Sequence, residues 1–148
     1  MEIETKAMGT VSIVEKQIIE LEEGFYGFSQ YHRFALVDAK ENPFIWVQSL
    51  EKKDLAFLSV DPFLFRPDYE LDIDDSLLQP LALESPSDVI VLSLITIPAD
   101  GGSITVNLQG PLVINKKNNR AMQAILTDPR WQTKHDLLAE ASVNRGVQ

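Results

Sequence analysis

Carboxylates crowd one stretch of this chain. Asp68, Glu70, Asp72, Asp74 and Asp75 follow one another in "RPDYELDIDD", directly after the aromatic run "DPFLF". Two kinds of chemistry would use them. A pair of acids facing each other across a cleft performs general acid and base work on a glycosidic bond. A row of acids beside aromatics instead anchors and selects a protein partner, the aromatics supplying contact area and the charges supplying discrimination. A dense acidic run in a polar segment is ordinarily a solvated face, so Glu70, Asp72 or Asp74 would serve a carboxylate-dependent enzyme only if a cleft made them converge. The other catalytic routes find little here. His32 and His135 stand far apart in the chain, there is no cysteine, and a zinc or iron site needs three or four ligands at workable spacing. Neither a Gly-x-Ser-x-Gly elbow nor a Walker A loop nor a Gly-x-Gly-x-x-Gly fingerprint occurs, so the corresponding acyl-transfer and nucleotide-binding routes have no local signature. The expectation is no catalytic residue, no metal and no cofactor.

Charge is spread unevenly. Between Pro67 and Asn115 there is no Lys, Arg or His, and nearly all of the formal net charge of −9 lies in that middle stretch. Direct binding to a nucleic-acid backbone requires clustered Lys and Arg, which an acidic chain of this kind does not offer. A basic protein is the better match, and an acidic mimic of nucleic acid acting on such a protein is a further alternative. The longest apolar run, in "VIVLSLITIP", is about half of what a bilayer span requires, and the first residues do not read as a signal peptide. A cytoplasmic protein, monomeric on its own, is expected.

The elements that must hold the acidic row have a period of two. "SITVNLQ" places Ile104, Val106 and Leu108 on one face and polar residues on the other, the alternation of a half-buried strand. "FIWVQSL" and "DVIVLSLITI" are apolar on both faces, as strands of a closed or doubly covered sheet are. "PADGGS" carries the Asp-Gly and Gly-Gly pairs of a reversal, which predicts that the strands on either side of it form a hairpin. Further strands are predicted in "EIETKAM", "TVSIV", "QIIEL", "RFALVD", "LAFLSVD", "GPLVIN" and "MQAILT". Helix signals are sparse. Asp74 and Asp75 cap a short helix over "SLLQPLAL" that Pro80 limits to one or two turns, and the tail from Thr133, with Leu137, Leu138 and Ala141 on one side, is expected either to form a short amphipathic helix or to fray. With 148 residues the chain is one domain, and so many short strands predict a mainly β fold, antiparallel and β-barrel-like or a sandwich, with one or two short helices. The domain is placed at residues 1–138, with 139–148 as a C-terminal tail.

The candidate surface residues follow from this frame. Phe57 belongs to the inner face of its strand. Phe63 and Phe65 lie between Pro62 and Pro67, where missing backbone donors push the chain toward an edge or an extended loop. Phe63, Phe65, Asp68, Tyr69, Glu70, Asp72 and Asp74 are therefore the candidate partner-binding residues. Phe25, Tyr26 and Phe28, set around Gly24 and Gly27, form either a barrel plug or a second contact patch.

Three ordered blocks carry a resemblance. "NPFIWVQSLEKKDLAFLSVDPFLFRPDYELDI", "ITVNLQGPLVINKKNNRAMQAIL" and "EEGFYGFSQYHRFALV" resemble the signature segments of the FliW family of flagellar assembly factors, in the family's order and at similar spacing. Arg66 departs from that pattern by interrupting its apolar "PFLFFPDY" run, and Leu21 stands where an aromatic is common. The resemblance implies a small barrel-like protein without catalytic activity that binds CsrA, a basic RNA-binding translational regulator, and also binds flagellin. It further implies a partner switch: the protein antagonises CsrA until unexported flagellin occupies it, and the freed CsrA then represses flagellin mRNA.

Overall fold

The computed structural model describes residues 1–140. Eleven strands appear among them: β1 (Glu2–Thr5), β2 (Gly9–Ser12), β3 (Ile18–Leu21), β4 (Arg33–Asp38), β5 (Ile45–Ser49), β6 (Ala56–Val60), β7 (Val89–Thr96), β8 (Thr105–Val106), β9 (Leu112–Asn115), β10 (Arg120–Gln123) and β11 (His135–Asp136). The helix α1 spans Asp75–Leu78 and runs into a 3-10 turn at Gln79–Leu81. Strands β3 to β7 pair in sequence, β10 joins β3 to β9, and β9 returns to β7, which closes a seven-stranded barrel. All of these pairings are antiparallel save β3 with β10, where Arg120 lies opposite Glu20 in a parallel register.

Closure explains why several strands are apolar on both faces. Inward residues Ile19, Phe34, Val47, Leu92, Leu112 and Ile114 fill the barrel, while their immediate neighbours point outward into three further apolar layers. On one side the β1–β2 hairpin lays Ile3 and Val11 over Ile18, Ala35, Val37 and Trp46. On another, α1 and the turn after it set Leu78 and Leu81 against Val113 and Met122. The third layer combines Val91, Ile95 and Val106 with residues of the segments after β6 and after β10. Gln48, buried on an outward-facing position, accepts from the Lys6 backbone N–H and donates to the Ser49, Lys53 and Leu55 carbonyls. It ties the β1–β2 turn to the β5–β6 turn with its polar atoms satisfied.

Three predicted strands come out shorter than the sequence suggests. β7 and β8 do pair antiparallel, with Ile95 opposite Val106, but β8 stops after Val106 because the Asn107 Oδ1 accepts from the N–H groups of Gln109 and Gly110 and turns the chain, the usual action of an Asx side chain. Burial nevertheless keeps the predicted alternation through Leu108. β9 starts only after Pro111. The strand expected over "MQAILT" ends at Gln123, since Ala124 donates to the Pro111 carbonyl and proline has no N–H to return. β11 was not predicted. At the C-terminal end residues 137–140 are helical, as expected of the tail, with Leu137 packed against the third outer layer and Leu138 exposed; Ala141 and the rest of the tail lie outside the described residues.

Candidate partner-binding surface

The segment after β6 is shaped by its prolines and acids. Asp61 accepts from the Phe63 N–H at 2.9 Å, capping a 3-10 turn at Pro62–Leu64 that has proline at its start, where its missing donor costs nothing. The turn lifts Phe63 and Leu64 toward solvent. Phe65 and Tyr69 go the other way. Both were expected on the surface, and both are buried, at 7% and 3% exposure, in the layer with Val60, Val91, Leu108 and Trp131. The reason is that β6 is an interior strand of a closed sheet, so the segment leaving it crosses a barrel face instead of forming a free edge. Tyr69 stacks edge-on against Trp131 with centroids 4.9 Å apart and against Phe63 at 5.7 Å. Its hydroxyl donates to the Leu108 carbonyl at 2.6 Å, which makes burial of the phenol affordable, and burial pushes its pKa up. Phe65 and Tyr69 thus support the surface from beneath.

Beyond Tyr69 the chain keeps a period of two without pairing to a strand. Leu71 and Ile73 are half-buried against the barrel, and Glu70, Asp72 and Asp74 point to solvent. Asp74 also caps α1, accepting from the Ser76 N–H and hydroxyl, both at 2.9 Å, and the backbone donor holds its carboxyl below the usual carboxylate range.

Two cations sit against this acidic row, Arg66 from within the same segment and Arg130 from beyond β10. Arg66 donates through Nε and Nη2 to the two oxygens of Asp68, at 2.9 and 2.8 Å, and through Nη1 to Glu140 at 2.8 Å. The Asp68 bond and then the Glu140 bond raise the Arg66 pKa, and the guanidinium in turn lowers that of Asp68. Glu140 meets His135 Nδ1 at 2.7 Å, and His135 Nε2 accepts from the Gln132 N–H at 2.9 Å. An accepting Nε2 assigns the ring proton of the neutral imidazole to Nδ1, which donates to Glu140. Arg130 pairs with Asp128 at 2.8 Å and lies 3.9 Å from Glu70. Both Arg66 and Arg130 lie over the Trp131 ring, at 4.8 and 4.9 Å, a favourable contact between cation and π-face. Asp68 is therefore neutralised and Glu70 partly so, while Asp72 and Asp75 have no cation within pairing distance among the described residues.

The second candidate patch divides. Phe25 is a plug, 2% exposed, with its ring 5.0 Å from Phe34 and 4.8 Å from Phe57 inside the barrel. Tyr26 is 68% exposed, and Phe28 covers the edge of Phe57 at 5.4 Å. Gly24 sets this loop: its φ is +67°, and a Cβ there would lie 2.7 Å from the Phe28 carbonyl oxygen and 2.9 Å from that of Tyr31. The Tyr26 N–H donates to Gln123 Oε1 at 3.0 Å, fastening the loop tip to β10.

Between this loop, the α1 region and β10 opens a groove of about 1330 Å³, into which Tyr26, Leu77 and Ile125 present exposed apolar surface. Leu77 and Ile125 were not singled out in the sequence. The available signal was local: in a four-residue helix Leu77 and Leu78 cannot both face the core, and Ile125 lies two residues past the end of β10. A smaller groove of about 650 Å³ lies under Leu71, Ile73 and Leu83. Glu70, Asp72 and Asp74 line neither of these two grooves. Among the described residues no three His, Cys, Asp or Glu side chains are grouped to hold a metal ion, and no helix is long and apolar enough to cross a membrane.

A family model described as FliW protein matches residues 2–137. The chain belongs to the FliW family. It is 63% identical over 140 residues to the flagellar assembly factor FliW of Treponema denticola, covering 95% of each chain. It is 59% identical over 148 residues to that of Treponema pallidum, covering 100% of this chain and 99% of the relative. A crystal structure of the flagellar assembly factor FliW superposes with a TM-score of 0.83 at 37% identity, covering 93% of this chain and 96% of the other. This family member keeps the barrel while placing Arg66, the departure noted in the sequence, at the centre of the Asp68, Glu140 and Trp131 contacts.

Proposed function

We propose that this chain is a non-enzymatic flagellar assembly factor that acts in the cytoplasm by docking proteins. It binds the translational regulator CsrA, relieves repression of flagellin mRNA, and exchanges CsrA for flagellin when unexported flagellin accumulates. The observation that carries this reading is the outward row of Glu70, Asp72 and Asp74 standing on the inward Leu71 and Ile73. Held on a rigid barrel, such a row offers a basic RNA-binding protein a complementary field.

The magnitude limits how inhibition works. Two unit charges about 10 Å apart in water interact by about 0.4 kcal/mol, and physiological salt removes roughly two-thirds of that. With Asp68 neutralised by Arg66, the remaining acids facing a few phosphates repel RNA by about 1 kcal/mol, roughly a fivefold loss of affinity. Strong inhibition therefore requires steric overlap or a shape change in CsrA as well. The test is titration calorimetry of the purified protein against CsrA, repeated after saturation with flagellin. Tight binding that flagellin abolishes is expected, and absence of binding to both proteins would overturn the reading.

A further inference from the structure

We infer that Arg66 and His135 form a carboxylate-binding site, that Glu140 from the chain's own C-terminal turn occupies it, and that a carboxylate supplied from outside displaces that turn. The site lies apart from the outward row of Glu70, Asp72 and Asp74, and it stands whether or not the protein docks CsrA and flagellin.

Both donors are fixed without help from Glu140. Arg66 spends Nε and Nη2 on the two oxygens of Asp68, at 2.9 and 2.8 Å, and its guanidinium lies over the Trp131 ring at 4.8 Å. Its remaining edge, Nη1, donates to Glu140 Oε2 at 2.8 Å. His135 is held in β11 opposite Val106, with its ring centroid 6.4 Å from that of Trp131. The Gln132 N–H, at 2.9 Å, makes Nε2 an acceptor and so leaves Nδ1 as the donor, which reaches Glu140 Oε1 at 2.7 Å. Two donors from separate segments thus address the two oxygens of one carboxylate, and the bond from the guanidinium is of the strong, charge-assisted kind. Arg66 stands where the family pattern is apolar, so the first donor is not a requirement of the barrel.

Burial gives the site its value. The side chains of Arg66, His135 and Glu140 are 24%, 14% and 17% exposed, and donors in so shielded a place are costly to leave unpaired. A carboxylate satisfies both at once, whereas chloride offers no pair of oxygens. The occupant is anchored far less firmly than the donors. Glu140 ends the helical turn 137–140, which is tied down by the Leu137 N–H on the Ile104 carbonyl at 2.9 Å and by Leu137 in the Trp131 layer. The bond from the Ala139 N–H to Asp136 Oδ1 is local, and Leu138 is 71% exposed. Elements with few buried contacts open at low free energy, so a competing carboxylate gains the site by releasing one short turn, with the barrel intact.

The test uses the full chain, its Glu140→Ala and Glu140→Gln variants, and sodium acetate as the probe, with sodium chloride at equal ionic strength as the control. Binding at neutral pH is followed by the NMR shifts of the Arg66 Nε–H and the His135 ring, and thermal melts check that each variant folds. In Glu140→Ala, acetate is expected to move both groups along one saturable curve while chloride moves neither. In the unaltered chain that curve should lie at concentrations about tenfold higher or more, because a group held in cis competes at a high effective concentration. Its approach to saturation should bring faster amide hydrogen exchange at residues 137–140 and not in the barrel strands. Glu140→Gln, which keeps the shape but only one acceptor oxygen, should yield to acetate between these limits. Arg66→Leu added to Glu140→Ala should abolish the curve. No saturable acetate curve in Glu140→Ala, the same shifts with chloride, equal curves with and without Glu140, or a curve that survives Arg66→Leu would each overturn the inference.

Discussion

Tyr69 and Asp68 are neighbours with opposite fates, and each makes a measurable prediction. Tyr69→Phe removes one buried hydrogen bond, to the Leu108 carbonyl at 2.6 Å, and keeps the ring contacts. The expected loss is about 1 kcal/mol, or roughly 3 °C in Tm, read by calorimetry with an unchanged far-ultraviolet spectrum. Asp68 titrates below its ordinary value because Arg66 holds it ionised. A depressed folded pKa stabilises the protein above the unfolded value of about 4 and loses that contribution as pH falls through the folded value. Thermal melts should therefore weaken on acidification below about pH 4, and Asp68→Asn should lower stability slightly at neutral pH and flatten that acid limb. The effect is modest because the Asp68 side chain is 54% exposed and solvent screens the pair. An acid limb of the same slope in the variant would show that the ion pair contributes nothing.

At the scale of elements, the loop from Glu22 to Ser29 separates a sequence that tolerates change from one that does not. Gly24 and Gly27 both have positive φ, +67° and +85°, yet a Cβ at Gly24 meets backbone atoms under 3.0 Å while at Gly27 it meets nothing within 4 Å. Gly27→Ala should cost about 1 kcal/mol, the strain of the left-handed backbone alone. Gly24→Ala adds a clash with immovable backbone and should cost about 3 kcal/mol or more, displacing the Phe25 plug. Denaturant melts of the two variants compare the costs directly, and equal midpoints would refute the argument. The same scale explains the shortened strands: nothing in an alternating pattern reveals that the Asn107 side chain will capture two backbone donors or that Pro111 will fall opposite Ala124.

For the whole molecule, the question is what the acidic middle of the chain does once folded. Glu70, Asp72 and Asp74 changed together to Lys should weaken CsrA binding or its inhibition of RNA binding, more at low salt than at high salt, since exposed charges are screened over about 8–10 Å. Their exposure predicts an unchanged thermal midpoint within a few degrees, which distinguishes lost recognition from lost folding. RNA displacement that is the same for both proteins at low and high salt would remove the electrostatic part of the mechanism.

The sequence by itself determined the fold class, most strands, the short capped helix and the uneven charge, because these follow from local periodicity, turn chemistry and composition. Its ordered blocks were also enough to suggest the family. Only the tertiary structure decided which aromatics remain exposed and which acids remain unpaired. Phe63 and Phe65 have the same local context, and closure of the barrel puts one at 40% exposure and the other at 7%. Arg66 stands two residues before Asp68 and pairs with it locally, but only packing around Trp131 brings Glu140 to the same guanidinium and Arg130 within 3.9 Å of Glu70, while Asp72 is left with no cation within pairing distance among the described residues. Burial and ion pairing depend on residues far away in the chain that folding brings within a few ångströms, so no reading confined to neighbours along the chain contains them.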